Sequence, residues 1–196
     1  MGPELANKLK QHALWVESRG ERGERLTLED AELPGCAFQA QELTEAELPG
    51  ACFDGGNLSE AKLSGTNLAS ASFVHANLVG SQLIKANLDY ATLRSADLRN
   101  VNALRASFYE AQLQGADLSG AQLSGAYLVN ANLESANLKG AQLDGAILHG
   151  ANLTGVDLRG VSGLSSIQAS WIVQGAEHAR LEGEALLTWL KVAAGT

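Results

Sequence analysis

Four histidines, two cysteines and 22 carboxylates are the groups of this chain that could do chemistry. Their spacing does not bring them together. His12, His75, His149 and His178 stand far apart, and none has another imidazole or a thiol at the short interval that places two metal ligands on one loop or helix turn. Cys36 and Cys52 are too few for a disulfide framework, and we read both as reduced. There is no GxGxxG or Walker glycine loop to cradle a phosphate, and no GxSxG elbow to present a nucleophile. The expectation is a chain with no catalytic residue, no cofactor site and no metal site. What the carboxylates do must then follow from the elements that carry them.

Those elements are set by a period of five. From Leu28 to Leu158 every fifth residue is Leu or Phe, with Ala103 as the single exception. The middle units read ADLSG, AQLSG, AYLVN, ANLES and ANLKG. An α-helix turns about 100° per residue, so positions five apart smear around its surface. A flat strand alternates faces, so positions five apart fall on opposite sides. A chain that turns a corner once per five residues can bury them all. Calling the large apolar position i, residues i−2 and i then point inward, while i−1, i+1 and i+2 face water or make the corner. Sampled every 20 residues, i−1 reads Asn57, Asn77, Asp97, Asp117, Asn137, Asp157 on one side and Gln82, Asn102, Gln122, Gln142 on another. These ladders imply four units per coil, with side-chain amides stacking from coil to coil. The architecture expected is an all-β solenoid, a four-sided parallel β-helix of about seven coils at about 4.8 Å each.

The tandem A(N/D)LXX pattern resembles the pentapeptide repeat family over about two-thirds of the chain. The resemblance implies a right-handed quadrilateral β-helix and a small residue at i−2. In part of the family it also implies a DNA-like rod that protects DNA gyrase and other type II topoisomerases from quinolones or peptide toxins. An axis filled by Leu has no room for a paired-carboxylate site, which needs a pocket.

The boundaries expected are 1–25 for an N-terminal helix and loop cap, 26–163 for the β-helix, and 164–196 for an irregular segment and a C-terminal helix cap. Open solenoid ends expose unpaired backbone and bare Leu, so both need covering. Residues 3–18 read as a helix with Leu5, Leu9, Ala13 and Val16 on one face and Trp15 beside it. Residues 177–192 read as a second helix, weakened at Gly183, with Leu181, Ala185, Leu186 and Trp189 on one face. Leu181, Leu186, Trp189 and Leu190 are the candidates for cap contacts, or for a homodimer through the C-terminal end. Within the repeats, Val101 and Ala103 exchange large and small positions, which leaves Leu104 as an exposed apolar residue or part of a bulge.

The net charge of −8 is unevenly spread. Residues 26–60 hold acids and no base, whereas Lys62, Lys85, Arg94, Arg99 and Arg105 follow. That makes no continuous basic track for nucleic acid. No apolar run reaches bilayer length and the first residues carry no secretory h-region, so the cytoplasm is the expected compartment. Asn57-Leu58-Ser59 and Asn152-Leu153-Thr154 match the glycosylation acceptor only because Asn recurs at i−1. The leading functional reading is a non-enzymatic scaffold or protein-interaction module whose partner is unnamed. The alternatives are the gyrase-protecting DNA mimic and a spacer with adhesive terminal helices.

Overall fold

A complete account of the backbone N–H groups explains why the unit is A(N/D)LXX. In the computed structural model, which describes residues 2–175 and 179–195 and all their side chains but those of Ala179 and Leu187, the unit around Leu78 is representative. The Leu78 N–H donates to the Asp97 carbonyl of the next coil at 2.8 Å, and Gly80 donates to Arg99 at 3.0 Å. Asn77 donates back to Gly56 of the preceding coil at 2.9 Å, and Ser81 closes the corner onto the Leu78 carbonyl at 3.0 Å. Only the i+1 amide is left over. The Asn77 Oδ1 accepts it, from Val79 at 3.0 Å. The same turn-closing acceptor recurs at Asn57, Asn67, Asn87, Asp117, Asn132 and Asn152. The recurrence of Asn and Asp at i−1 therefore has a local cause, an Asx turn that satisfies an otherwise orphaned donor. The coil-to-coil amide ladder is present as well, as in Asn137 Nδ2 to Asp117 at 3.0 Å and Asn152 Nδ2 to Asn132 at 3.1 Å.

Parallel bridges join i−1 positions 20 residues apart, from Thr27↔Glu47 through to Gln142↔Ser162. Each coil thus has four sides of one unit each. Following the chain, we name them by one outward residue: the Tyr127 side, the Asn132 side, the Asn137 side and the Gln142 side. The inward Leu, Phe and Ala residues of the middle coils are almost without solvent contact and form one continuous core. Phe53 and Phe73 stack along the axis with centroids 5.1 Å apart. The Val101/Ala103 exchange is absorbed without a bulge: both are fully buried, and the Asn102↔Gln122 bridge keeps its register. Leu104 is simply exposed.

Helix α1 (Pro3–Glu17) lies against the first coil. Leu9 and His12 are its buried residues, while Leu5, Ala13 and Val16 are only half covered. At the other end the register slips by one. Gly163 (φ 80°) and a 3-10 turn over Leu164–Ser166 add a residue, so the next bridges are Ile147↔Gln168 and Asn152↔Val173, each 21 apart. The chain then forms an antiparallel hairpin, β1 (Trp171–Gln174) with β2 (Ala179–Glu182), followed by helix α2 (Gly183–Ala194).

This corrects the helix expected over 177–192. Residues 179–182 are a strand, residues 177 and 178 (and so His178) lie outside the described residues, and the helix begins at Gly183 and runs on to Ala194. The cause is the free edge of β1, whose hydrogen-bonding groups take β2 as a partner. Gly183 therefore starts the helix instead of weakening its middle. Ala185, expected on the apolar face, is exposed.

Candidate interaction surface

The outward residues decide what such a rod can do, because the axis is full. Along the Asn137 side, the carboxylates are answered locally. Arg99 and Arg159 fold back as forks onto Asp97 and Asp157, two residues earlier in each case. The Arg99 hydrogen bonds hold the Asp97 carboxyl below its ordinary range, and the Arg159 hydrogen bonds hold Asp157 at about 2. Asp117 accepts from Ser119 N–H and from Asn137. On the Gln142 side, Lys62 pairs with Glu42 at 3.2 Å. The acids of the middle coils are thus interrupted by paired or neighbouring bases and make no unbroken acidic column.

The Tyr127 side differs. Its outward ladder runs through Asn67, Asn87, Ser107, Tyr127 and Ile147. Tyr127 and Ile147 are consecutive, and they are the two large apolar residues at i−1 anywhere in the repeats. At the corner that follows this side stand Tyr90 and Tyr109. Tyr90 meets Tyr109 edge-on at 5.4 Å between centroids, and Tyr109 meets Tyr127 at 6.1 Å. At the corner that precedes it stands Leu104. Tyr90 is 54%, Leu104 39% and Tyr127 39% exposed, and among the described residues the only other large apolar side chain so exposed is Val192. Scattered exposed apolar residues need no explanation, but a contiguous set on one face of a small protein does.

Local bonding fixes this stripe. Asp89 accepts from the Ser107 hydroxyl and from the Tyr109 N–H at 3.1 Å, which pins the corner between two coils. The adjacent Glu110 carboxylate, as acceptor and as charge, raises the Tyr109 phenol above its ordinary value. Continuing along the same side, His149 packs edge-on against Trp171 at 5.4 Å, and Arg180 lies over the Trp171 ring at 4.6 Å.

Of the residues that the sequence marks as cap or dimer contacts, Leu186 and Leu190 are buried on the core face of α2. Trp189 and Leu181 are half-buried against the same core, Leu181 from β2, where it pairs with Ile172. Of the outward residues of α2, Glu184, Thr188 and Lys191 are polar, whereas Ala185 and Val192 are apolar, Val192 being 75% exposed. Cys36 and Cys52 are free thiols. Among the described residues no group of three His, Cys, Asp or Glu is close enough to hold a metal ion, and no helix is long and apolar enough to cross a membrane.

The tyrosines escape a reading of the sequence by ladders. Tyr90 is at i+2, Tyr109 at i+1 and Tyr127 at i−1, so no single position sampled every 20 residues reveals them. Sampling whole sides would have. His12, fully buried with its Nδ1 accepting the Leu26 N–H at 3.0 Å, was likewise hidden among apolar neighbours.

The repeats are matched by a known family. A family profile described as pentapeptide repeats matches eight copies, over residues 25–59, 57–89, 86–125 and 121–160. Among solved structures, full-length QnrB1, a plasmid-mediated fluoroquinolone resistance protein, is 16% identical over 85% of this chain and 98% of its own, with a TM-score of 0.46. HetL, involved in heterocyst differentiation regulation in the cyanobacterium Nostoc sp. strain PCC 7120, is 26% identical over 83% and 95%, with a TM-score of 0.26. Rfr23 from the cyanobacterium Cyanothece 51142 is 26% identical over 84% and 95%, with a TM-score of 0.32. No curated protein matches the sequence. The chain belongs to the pentapeptide repeat family.

Proposed function

We propose that this is a non-enzymatic interaction module: a right-handed quadrilateral β-helix of about seven coils that presents its Tyr127 side to another protein. In this reading residues 1–25 and 164–196 cap the rod made by 26–163. Leu181, Leu186, Trp189 and Leu190 serve as lid contacts, since side chains turned onto the core are not free for a partner at that end. The single observation that carries the proposal is the chain of ring contacts Tyr90–Tyr109–Tyr127 on one side of the rod, with Leu104 exposed at the opposite corner of that side. Aromatic residues supply large contact area at low entropic cost and are enriched where proteins meet. A test is site-specific photo-cross-linking in the source organism. A reactive residue in place of Tyr127 should yield a discrete protein adduct, and one in place of Asn137 should not. Equal products from both positions would refute the assignment of the side.

The alternative, a DNA mimic that shields DNA gyrase, draws on the acid-only stretch of residues 26–60. It is less well supported. Arg99 and Arg159 neutralise two carboxylates of the Asn137 side, and Lys85, Arg94 and Arg105 project from the middle coils, where a mimic needs acids. The expected result of a gyrase supercoiling assay with ciprofloxacin is no protection at micromolar protein.

A further inference from the structure

We propose that the occupant of the Tyr127 side is a second copy of this chain, packed beside the first with the rods parallel, about a two-fold axis that runs along them. This rests on reading that side as an interface, and adds the identity of the partner.

Charge makes the case. The corner before the Tyr127 side carries Lys85 and Arg105 in the middle coils, with Glu45 below and Asp144 above them, and the corner after it carries Asp89 and Glu110, with Glu29 and Asp30 below. Across the side, Glu45 stands level with Pro49 and Gly50, and Asp144 with His149, so neither meets a like charge. The edges lie about 10 Å apart across three extended residues. Among the described residues none of Lys85, Arg105, Asp89 and Glu110 has an ion-pair partner. Among the described residues the Asp89 carboxylate accepts only from the Ser107 hydroxyl and the Tyr109 N–H, both neutral.

A two-fold axis along the rods keeps every residue at its own height and sets the first edge of one copy against the second edge of the other. Arg105 then faces Glu110, and Lys85 faces Asp89, each twice. Leu104 comes against Tyr109. Residues in the middle of the side meet their own copies, so Tyr127 packs on Tyr127 and Ile147 on Ile147, as an isologous contact requires. Glu47 also meets its own copy, but Arg25 already holds it at 2.8 Å. The antiparallel arrangement centred on these two coils sets Lys85 against Arg105 and Asp89 against Glu110, like against like, and is disfavoured. Both copies rise by the same step per coil, so the match at one coil is repeated at the next.

The side is small. About 10 Å by 33 Å is on the order of 300 Å² per partner, well below the roughly 800 Å² of a stable complex. The association is therefore weak and concentration-dependent.

The test uses the full chain and a charge swap. Arg105 and Glu110 both occupy the i+2 corner position, with φ of 56° and 54°, so each can take the other's residue type without backbone change. Sedimentation equilibrium of the wild type, from about 10 µM to about 1 mM, should show a monomer–dimer equilibrium weakened by salt. Arg105→Glu alone and Glu110→Arg alone should each weaken association roughly tenfold, by making both cross pairs repulsive. An equimolar mixture of the two variants should recover wild-type association, because every cross pair is again opposite in sign. A mixture no tighter than its components, or a wild type that stays monomeric throughout, overturns the proposal. If the wild type is monomeric and the Tyr127 position still captures another protein, self-recognition is wrong and the interface reading stands. If neither occurs, both fall.

Discussion

Acid should loosen the N-terminal helix before it touches the rod, and His12 is the reason. The imidazole is fully buried between α1 and the first coil. Its Nδ1 accepts the Leu26 N–H at 3.0 Å, which places the ring proton on Nε2, and Nε2 has no partner. Protonation would put a donor where an acceptor is required and a charge where there is no water. Burial lowers the pKa below 6.5, and the nearby Glu42 carboxylate offsets this only in part. The sign follows. A folded-state pKa below the unfolded value means that the unfolded chain binds more protons as pH falls. The contribution is therefore fully present above the unfolded pKa of 6.5 and is lost as pH drops through and below it. The loss between pH 7.5 and pH 5.5 stops growing once the folded ring is protonated too, so about 1.4 kcal/mol, a tenfold change in the opening equilibrium, is its upper limit. The shifted carboxylates do not confuse this window. For Glu42, burial raises the pKa, but the hydrogen bonds from Thr44 and Lys62 outweigh it, and the net shift is downward. The arginine forks lower Asp97 and Asp157. Contributions of that kind are lost only as pH falls below the ordinary carboxylate range.

The assay is amide hydrogen exchange read at Leu26, whose N–H makes the bond in question. After correction for the intrinsic pH dependence of exchange, its protection factor should fall from pH 7.5 to pH 5.5, by up to about tenfold. In a His12→Asn variant, Oδ1 can take the place of Nδ1 as a neutral acceptor. That variant should be less stable, because the ring's volume is lost, but its protection should not change over this range. Equal pH slopes in the two proteins would refute the reasoning.

Three further outcomes are expected from urea unfolding. Ser81 is an inward residue whose hydroxyl has no partner, so Ser81→Ala should stabilise by about 1 kcal/mol. The neighbouring case has the opposite sign: Thr66 donates to the Leu43 carbonyl at 2.7 Å, and Thr66→Val should cost about 1 kcal/mol. Gly163→Ala should cost more than about 2 kcal/mol, because φ is 80° and a Cβ there would lie 2.3 Å from the Asp144 amide nitrogen.

The rod was legible because its cause is repeated. Every inward Leu obeys the same geometric demand, so the period of five, the four sides and the small i−2 residue could all be read from residues such as Ala116, Leu118, Ala121 and Leu123 before any coordinate. The function of Asn and Asp at i−1 was only half legible. A ladder of amides explains a recurrence every 20 residues, but the orphaned i+1 amide explains why Asn or Asp recurs so often, and that requires counting donors within one unit. The C-terminal segment was misread because residues 179–182 carry too few apolar positions to separate strand from helix. Their conformation is set by the open edge of β1, which is tertiary information.

The same donor count separates structure from function on the surface. A unit gains from Asn or Asp at i−1, about 1 kcal/mol for a hydrogen bond that closes its own corner. Tyr and Ile cannot make that bond, and an outward Ile gains nothing from water. Tyr127 and Ile147 nevertheless occupy this position in successive coils of one side, flanked by Tyr90, Tyr109 and Leu104. A local choice that works against the fold, repeated on adjacent coils of a single face, is what a binding surface leaves behind. The Asn137 side makes the opposite choice: its Asn and Asp residues close their corners, and its Arg residues fold onto the chain's own carboxylates. Those two sides share one backbone geometry, so the difference between them cannot come from folding.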